Sequence, residues 1–157
     1  MKKEHKKILQ DLHLQSSKVK YPSMPDEYRP KKNYNDKTAN GLTTCIKDFL
    51  NFSGWQAERI SVTGRRINVG KTKKTNAFGT VKTVGNTMYI PSTMTKGSSD
   101  ISATIKGKSV KIEVKIGADK QSEKQIEYQK NIEKAGGVYF IAKNFEDFYE
   151  FYLEMVK

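Results

Sequence analysis

The stretch that decides the fold reads Asp100-Ile101-Ser102-Ala103-Thr104-Ile105-Lys106-Gly107-Lys108-Ser109-Val110-Lys111-Ile112-Glu113-Val114-Lys115-Ile116. Two runs, Asp100 to Ile105 and Ser109 to Ile116, flank Lys106-Gly107-Lys108, the signature of a β-hairpin. In the second run Val110, Ile112, Val114 and Ile116 alternate with Lys111, Glu113 and Lys115. Successive strand side chains point to opposite faces, so the aliphatic series goes to the core while Glu113 and Lys115 share the other face. Asp100 opens the partner strand, where its carboxylate can stand beside that of Glu113.

Downstream of the hairpin, Ser122-Glu123-Lys124-Gln125 matches a capping box, which starts a helix near Ser122, and Gly136-Gly137 ends it. An apolar strand, Val138 to Ala142, follows, and Asn144 to Asp147 is a second capping-box-like start. Phe145, Phe148, Tyr149, Tyr152, Leu153 and Val156 then form a broad stripe on a last helix, read as core with a dimer surface as the competing use. Upstream, Leu42, Cys45, Ile46, Phe49 and Leu50 recur with helical spacing, and Gly54 stands where a helix would stop. Trp55 to Val62 reads as a strand, and Gly64, Gly70, Gly79 and Gly85 punctuate a basic, β-rich stretch reaching Ile90-Pro91. The order helix, several strands, helix, strand, helix predicts the α/β class, an α+β arrangement with helices packed on a mixed sheet.

At 157 residues the chain has the size of one domain. Its hydrophobic fraction of 36%, charged fraction of 29% and mean hydropathy of −0.73 give a globular but polar balance, and no apolar run approaches the roughly 20 residues a membrane span needs. Residues 1–36 hold Pro22, Pro25 and Pro30 among lysines, serines and asparagines, the composition of a basic, partly disordered leader. Residues 37–157 are expected to form the folded domain, with a basic β-rich insertion at 64–96. The single cysteine, Cys45, falls on an apolar helix face and excludes both an intramolecular disulfide and a Cys-rich zinc site, which fits a reducing, cytoplasmic compartment. His5 and His13 both lie in the leader, so carboxylates and lysines must carry any chemistry.

The net charge of +12 is unevenly spread. Residues 1–37 carry 10 basic and 5 acidic side chains, 38–99 carry 9 and 2, and 100–157 carry 10 of each. The excess is densest from Arg59 to Lys82, where Arg65, Arg66, Lys71, Lys73 and Lys74 are candidate contacts to nucleic-acid phosphates. A solvated basic hairpin is the competing reading, and composition does not separate DNA from RNA. Gly70-Lys71-Thr72 is not a phosphate loop: five residues separate it from Gly64 where that loop requires four, and no strand-to-helix turn surrounds it.

Asp100, Glu113 and Lys115 form the candidate catalytic set. Two carboxylates in one small site repel unless a cation lies between them, and hard oxygen donors suit Mg²⁺ or Mn²⁺. Such a metal acidifies a water and neutralises a phosphoryl group, which is phosphodiester hydrolysis chemistry. The same alternation marks any half-buried antiparallel strand, so an ordinary polar face is the competing reading.

Gly97-Ser98-Ser99-Asp100-Ile101, Val110 to Lys115, Gln121 to Gln125 and Gly136 to Tyr139 together resemble the PD-(D/E)xK nuclease superfamily, in particular its VRR-NUC branch. With the Thr38 to Leu50 helix and Gly54 to Arg66, the likeness to small phage or prophage members covers residues 38–150. It implies a restriction-endonuclease-like core with Asp100, Glu113 and the Val114 carbonyl as metal ligands. Lys115 would position the attacking water and stabilise the phosphorane, and Gln125 would line the site, a role that competes or coexists with its place in the capping box. Many members add an acid on the first helix, where this chain has Asn40. The resemblance further implies a Mg²⁺- or Mn²⁺-dependent DNA endonuclease, homodimeric and selective for branched DNA such as a Holliday junction or flap. An inert nucleic-acid-binding module on the same fold is the alternative.

Overall fold

In the computed structural model, which describes Met1–Lys157, the elements follow in the order α1 (Lys3–Lys20), a 3-10 turn at Asp26–Tyr28, α2 (Ala39–Phe52), β1 (Gln56–Arg59), β2 (Arg65–Thr75), β3 (Val81–Ile90), β4 (Ile101–Ile105), β5 (Lys108–Val114), α3 (Glu123–Lys134), β6 (Val138–Ala142) and α4 (Phe145–Val156). They form two units, Met1–Ile60 with Gly97–Lys157, and Ser61–Lys96.

The first unit is built on a four-stranded mixed sheet in the order β1-β4-β5-β6. β4 pairs antiparallel with both β1 and β5, and β5 pairs parallel with β6, so the chain crosses over through α3 between them. Ile105 and Lys108 are paired, which shortens the hairpin loop to Lys106-Gly107, both with positive φ (48° and 76°). This two-residue turn follows the twist of the strands it joins.

Ile101, Ala103, Ile105, Val110, Ile112 and Val114 all turn to one face and are buried there with Leu42, Cys45, Ile46, Phe49 and Leu50 of α2. α2 begins where Thr38 Oγ1 accepts the Gly41 N–H at 3.1 Å. Each fully buried aliphatic or aromatic side chain contributes about 1.5–3 kcal/mol, so this layer is the main stabilising element. Burial pushes the Cys45 thiol up to about 12, which leaves it inert at neutral pH.

The α4 stripe belongs to the same core. Phe49 meets Phe145, Phe148, Tyr149 and Tyr152 edge-on at centroid distances of 5.8, 5.9, 5.5 and 4.9 Å. Trp55 donates to the Tyr152 hydroxyl at 3.1 Å, and Phe140 of β6 stacks on Phe151 at 4.2 Å. Phe145 and Phe148 are buried, Tyr149, Tyr152 and Val156 are half-buried against the core, and Leu153 is exposed.

The leader, expected to be partly disordered, is instead a helix followed by a tied-down return. Leu9 is fully buried, and Met1, Ile8 and Leu12 pack on the core. His5 lies against Phe145 and Tyr149, with ring centroids 5.8 and 4.9 Å away. The return is held by buried Arg29, which donates to Ser17 O (2.8 Å) and Met24 O (2.5 Å), and by Asp36, which accepts from the Phe145 N–H at 3.2 Å. The lysine-rich average conceals a short apolar stripe, and proline spacing does not report such long-range partners.

The second unit is a two-stranded ribbon, β2 with β3, whose register shifts between Asn68 and Gly70. It carries no Asp or Glu. No helix of the chain is long and apolar enough to cross a membrane.

Candidate active site

The face of the sheet opposite the core carries the polar series. Ile101 is paired with Ile112, so one step outward along the antiparallel register Asp100 stands opposite Glu113. Directly opposed residues have Cβ atoms about 4.5–5.5 Å apart, close enough for their carboxylates to interact. Asp100 is held there by its side chain: Oδ2 accepts the Val114 N–H at 2.9 Å, while its own carbonyl accepts from Ile60 N at 2.8 Å. Lys115 continues the β5–β6 ladder by donating its N–H to Ala142 O at 2.9 Å, which fixes it on the face of Glu113.

Glu113 is 2% exposed. Its Oε1 accepts from Gln125 Nε2 at 2.5 Å and lies 3.3 Å from Lys115 Nζ, whereas its Oε2 is buried with no partner. Burial first, and then the charge of Asp100, push the Glu113 carboxyl from the ordinary 4.5 up to about 7, against the pull of Lys115. Lys115 is itself buried, with Asp119 Oδ2 as its second carboxylate at 3.4 Å.

Gln125 reaches Glu113 because α3 starts beside the strand ends. Ser122 Oγ accepts the Gln125 N–H at 3.4 Å, and Gln125 Oε1 accepts the Ser122 N–H at 2.9 Å, completing a capping box. The cap and the contact with Glu113 use different atoms of one amide. Gly97 locks this start in place: at φ +84° its Cα faces the Lys124 carbonyl so closely that a Cβ would stand 2.4 Å from that oxygen.

The structure thus brings Asp100, Glu113, Val114, Lys115 and Gln125 together. Asn40 does not join them, since its Oδ1 accepts from Arg59 Nη2 at 2.7 Å. The cations Arg65, Arg66, Lys71, Lys73 and Lys74 are exposed in the second unit. β3 sorts them by register: Arg65 and Lys74 pair with Ile90 and Lys82, whereas Arg66, Lys71 and Lys73 pair with Tyr89, Gly85 and Thr83. Alternate residues of β3 face opposite ways, so the cations divide between the two faces of the ribbon.

Sequence reasoning missed Tyr139 and Asp119. Tyr139 pairs with Lys111 in parallel register and so shares the face of Glu113. Its buried hydroxyl makes no hydrogen bond of good geometry, with Gln121 the side chain placed to supply one. Burial, and then the Glu113 charge, push its ionisation well above the ordinary range, so the hydroxyl keeps its proton. The register of β6 on β5 decides this neighbourhood, and no local pattern encodes it. Lys111, on the same face, donates to Ser102 Oγ at 2.6 Å.

Comparison of the chain with protein-family models, with curated proteins and with solved structures finds no match.

Proposed function

We propose that this chain is a metal-dependent DNA endonuclease of the PD-(D/E)xK type, in its VRR-NUC branch, acting on branched DNA. The observation that carries the reading is the Asp100–Glu113 cross-strand pair, with Lys115 on the same face and Glu113 Oε2 buried without a partner. The sheet supports it: a helix, three antiparallel strands, a crossover helix and a parallel fourth strand are consistent with the core the motif resemblance implies.

The donors present fit a hard divalent cation. Asp100 and Glu113 offer carboxylate oxygens, one of them orphaned, and the Val114 carbonyl is the third candidate ligand. No cluster of three or more His, Cys, Asp or Glu side chains gathers in the chain, so most of an octahedral Mg²⁺ or Mn²⁺ shell falls to water and substrate oxygens. Bound there, the metal supplies water acidification and neutralisation of phosphoryl charge.

The chain's own groups have separable tasks. Gln125 holds Glu113 Oε1 and so leaves the buried Oε2 without a protein partner, free for a cation. Lys115, tethered between Glu113 and Asp119, keeps the third of its ammonium protons for an attacking water or a phosphoryl oxygen. The ribbon cations contact backbone phosphates without reading sequence. A homodimer on a branched substrate belongs to the same proposal and is checked by sedimentation with and without a four-way junction.

The test is cleavage of labelled linear, flapped and four-way-junction DNA, and of matching RNA, with Mg²⁺ or Mn²⁺, comparing wild type with Glu113→Ala. Metal-dependent cleavage lost in the variant supports the endonuclease, and the preferred substrate names its specificity. Binding of every substrate with cutting of none overturns it in favour of an inert binding module.

A further inference from the structure

Phe78 sits at the far end of the β2–β3 ribbon and is 93% exposed, whereas Phe49, Phe145 and Phe148 are buried. The turn that carries it is closed by hydrogen bonds. Asn76 N donates to Thr80 O at 3.0 Å and Gly79 N to Asn76 O at 3.0 Å, while Asn76 Oδ1 accepts from Phe78 N (3.1 Å) and Thr80 N (2.8 Å). The backbone beneath the ring is therefore fixed, and the ring is presented to solvent.

Its surroundings specify the partner. From Ser61 to Lys96 the chain has Arg65, Arg66, Lys71, Lys73, Lys74, Lys82 and Lys96 and no acidic residue. Nearest the tip, Lys74 and Lys82 are directly paired across the strands, a like-charge opposition that disfavours the ribbon until an anion neutralises it. An anion with a flat apolar face satisfies both the cations and the ring, and an unstacked nucleotide is that ligand, with its phosphate beside the lysines and its base on the aromatic face. Within an intact duplex the base faces are occupied by their neighbours, and opening them costs unstacking energy. A branch, fork or strand end offers a free base face.

We infer that Phe78 is a base-stacking wedge, with which the basic ribbon engages an unpaired base at a branch or fork in DNA. The inference rests on the nucleic-acid part of the function proposed above and supplies its preference for branched substrates.

The experiment uses the full chain in chelator, so that binding is read without cleavage. Wild type, Phe78→Ala and Phe78→Trp are titrated with a fork and a four-way junction carrying 2-aminopurine at the branch, with a matched duplex, and with phosphatidylserine vesicles. The expected result is a fall of about tenfold in fork and junction affinity for Phe78→Ala, duplex affinity within about twofold, and retention by Phe78→Trp. The 2-aminopurine emission should respond to proteins that carry a ring at position 78 and not to Phe78→Ala. Equal losses on fork and duplex, no loss on either, or ring-dependent binding to vesicles and not to the fork overturns the wedge. Cleavage by wild type with ring-independent fork binding would sink the wedge and leave the nuclease standing. Ring-dependent fork binding by a protein that cuts nothing would do the reverse.

Discussion

Gln125 holds Glu113 with the same side-chain amide that closes the capping box of α3. Its Oε1 is committed to the Ser122 N–H, a group that can only donate, so the amide nitrogen has to be the end that faces Glu113 Oε1. Removing the cap and removing the contact are therefore separable. Ser122→Ala should cost about 1 kcal/mol of stability, the usual value of an N-cap, with little change in cleavage. Gln125→Ala should lower stability by a similar amount and also lower kcat by an order of magnitude, about 1.4 kcal/mol of barrier. Urea unfolding and single-turnover cleavage of the two variants check this, and equal kinetic losses would show that helix capping alone matters.

The raised Glu113 carboxyl makes the metal-free protein lose stability as pH rises. The folded state keeps a proton up to about pH 7 that the unfolded chain releases near 4.5, so between those values the native state binds more protons. Stability falls across that window, and the loss persists above it. Its full size is on the order of 3 kcal/mol, from 1.36 kcal/mol per pKa unit. Melts in chelator should therefore show a falling Tm from pH 5 to 8 that Glu113→Gln flattens. Mg²⁺ added at pH 8 should restore the wild type and leave the variant unchanged.

Gly97 packs against the Lys124 carbonyl with no room for a side chain. An alanine at 97 meets two obstacles, a φ of +84° and the Lys124 carbonyl at 2.4 Å from the new Cβ. The backbone conformation alone costs about 1–3 kcal/mol for a non-glycine residue. The clash adds to it, because helix backbone cannot swing aside as a side chain would. Since α3 carries Gln125, Gly97→Ala should lower both Tm and cleavage rate, and a variant with reduced Tm and unchanged rate would show that α3 shifts without disturbing Glu113.

What is legible in the sequence follows from the range of each interaction. The period-two alternation of β5 places Glu113 and Lys115 on one face, and the Ser122 capping box starts α3, because both are set by neighbours within a few residues. Tyr139 is hidden because the register of β6 on β5 decides its place. The ordered leader escapes a compositional reading for a related reason. Leu9 is buried in a core whose other members lie far away in sequence, and composition weighs the leader's lysines without seeing those partners. The ribbon cations are visible as a cluster, but their division between two faces depends on the bulge between Asn68 and Gly70.

Under the proposed DNA-binding role, that division predicts how the ribbon would meet a duplex. Arg65, Lys74 and Lys82 belong to one face, and Arg66, Lys71 and Lys73 to the other. A ribbon lying flat on a single backbone would use one set, whereas a ribbon set edge-on in the major groove, which is about 12 Å wide and admits a two-stranded ribbon, presents one set to each bounding backbone. Neutralising all three cations of either face should then reduce the slope of log affinity against log salt by about 2.7, at about 0.9 for each phosphate no longer neutralised. Affinity for plain duplex measured across a salt series for the two triple variants checks this. A change confined to one triple would place the ribbon flat on the surface, and no change in either would remove the ribbon from the DNA interface.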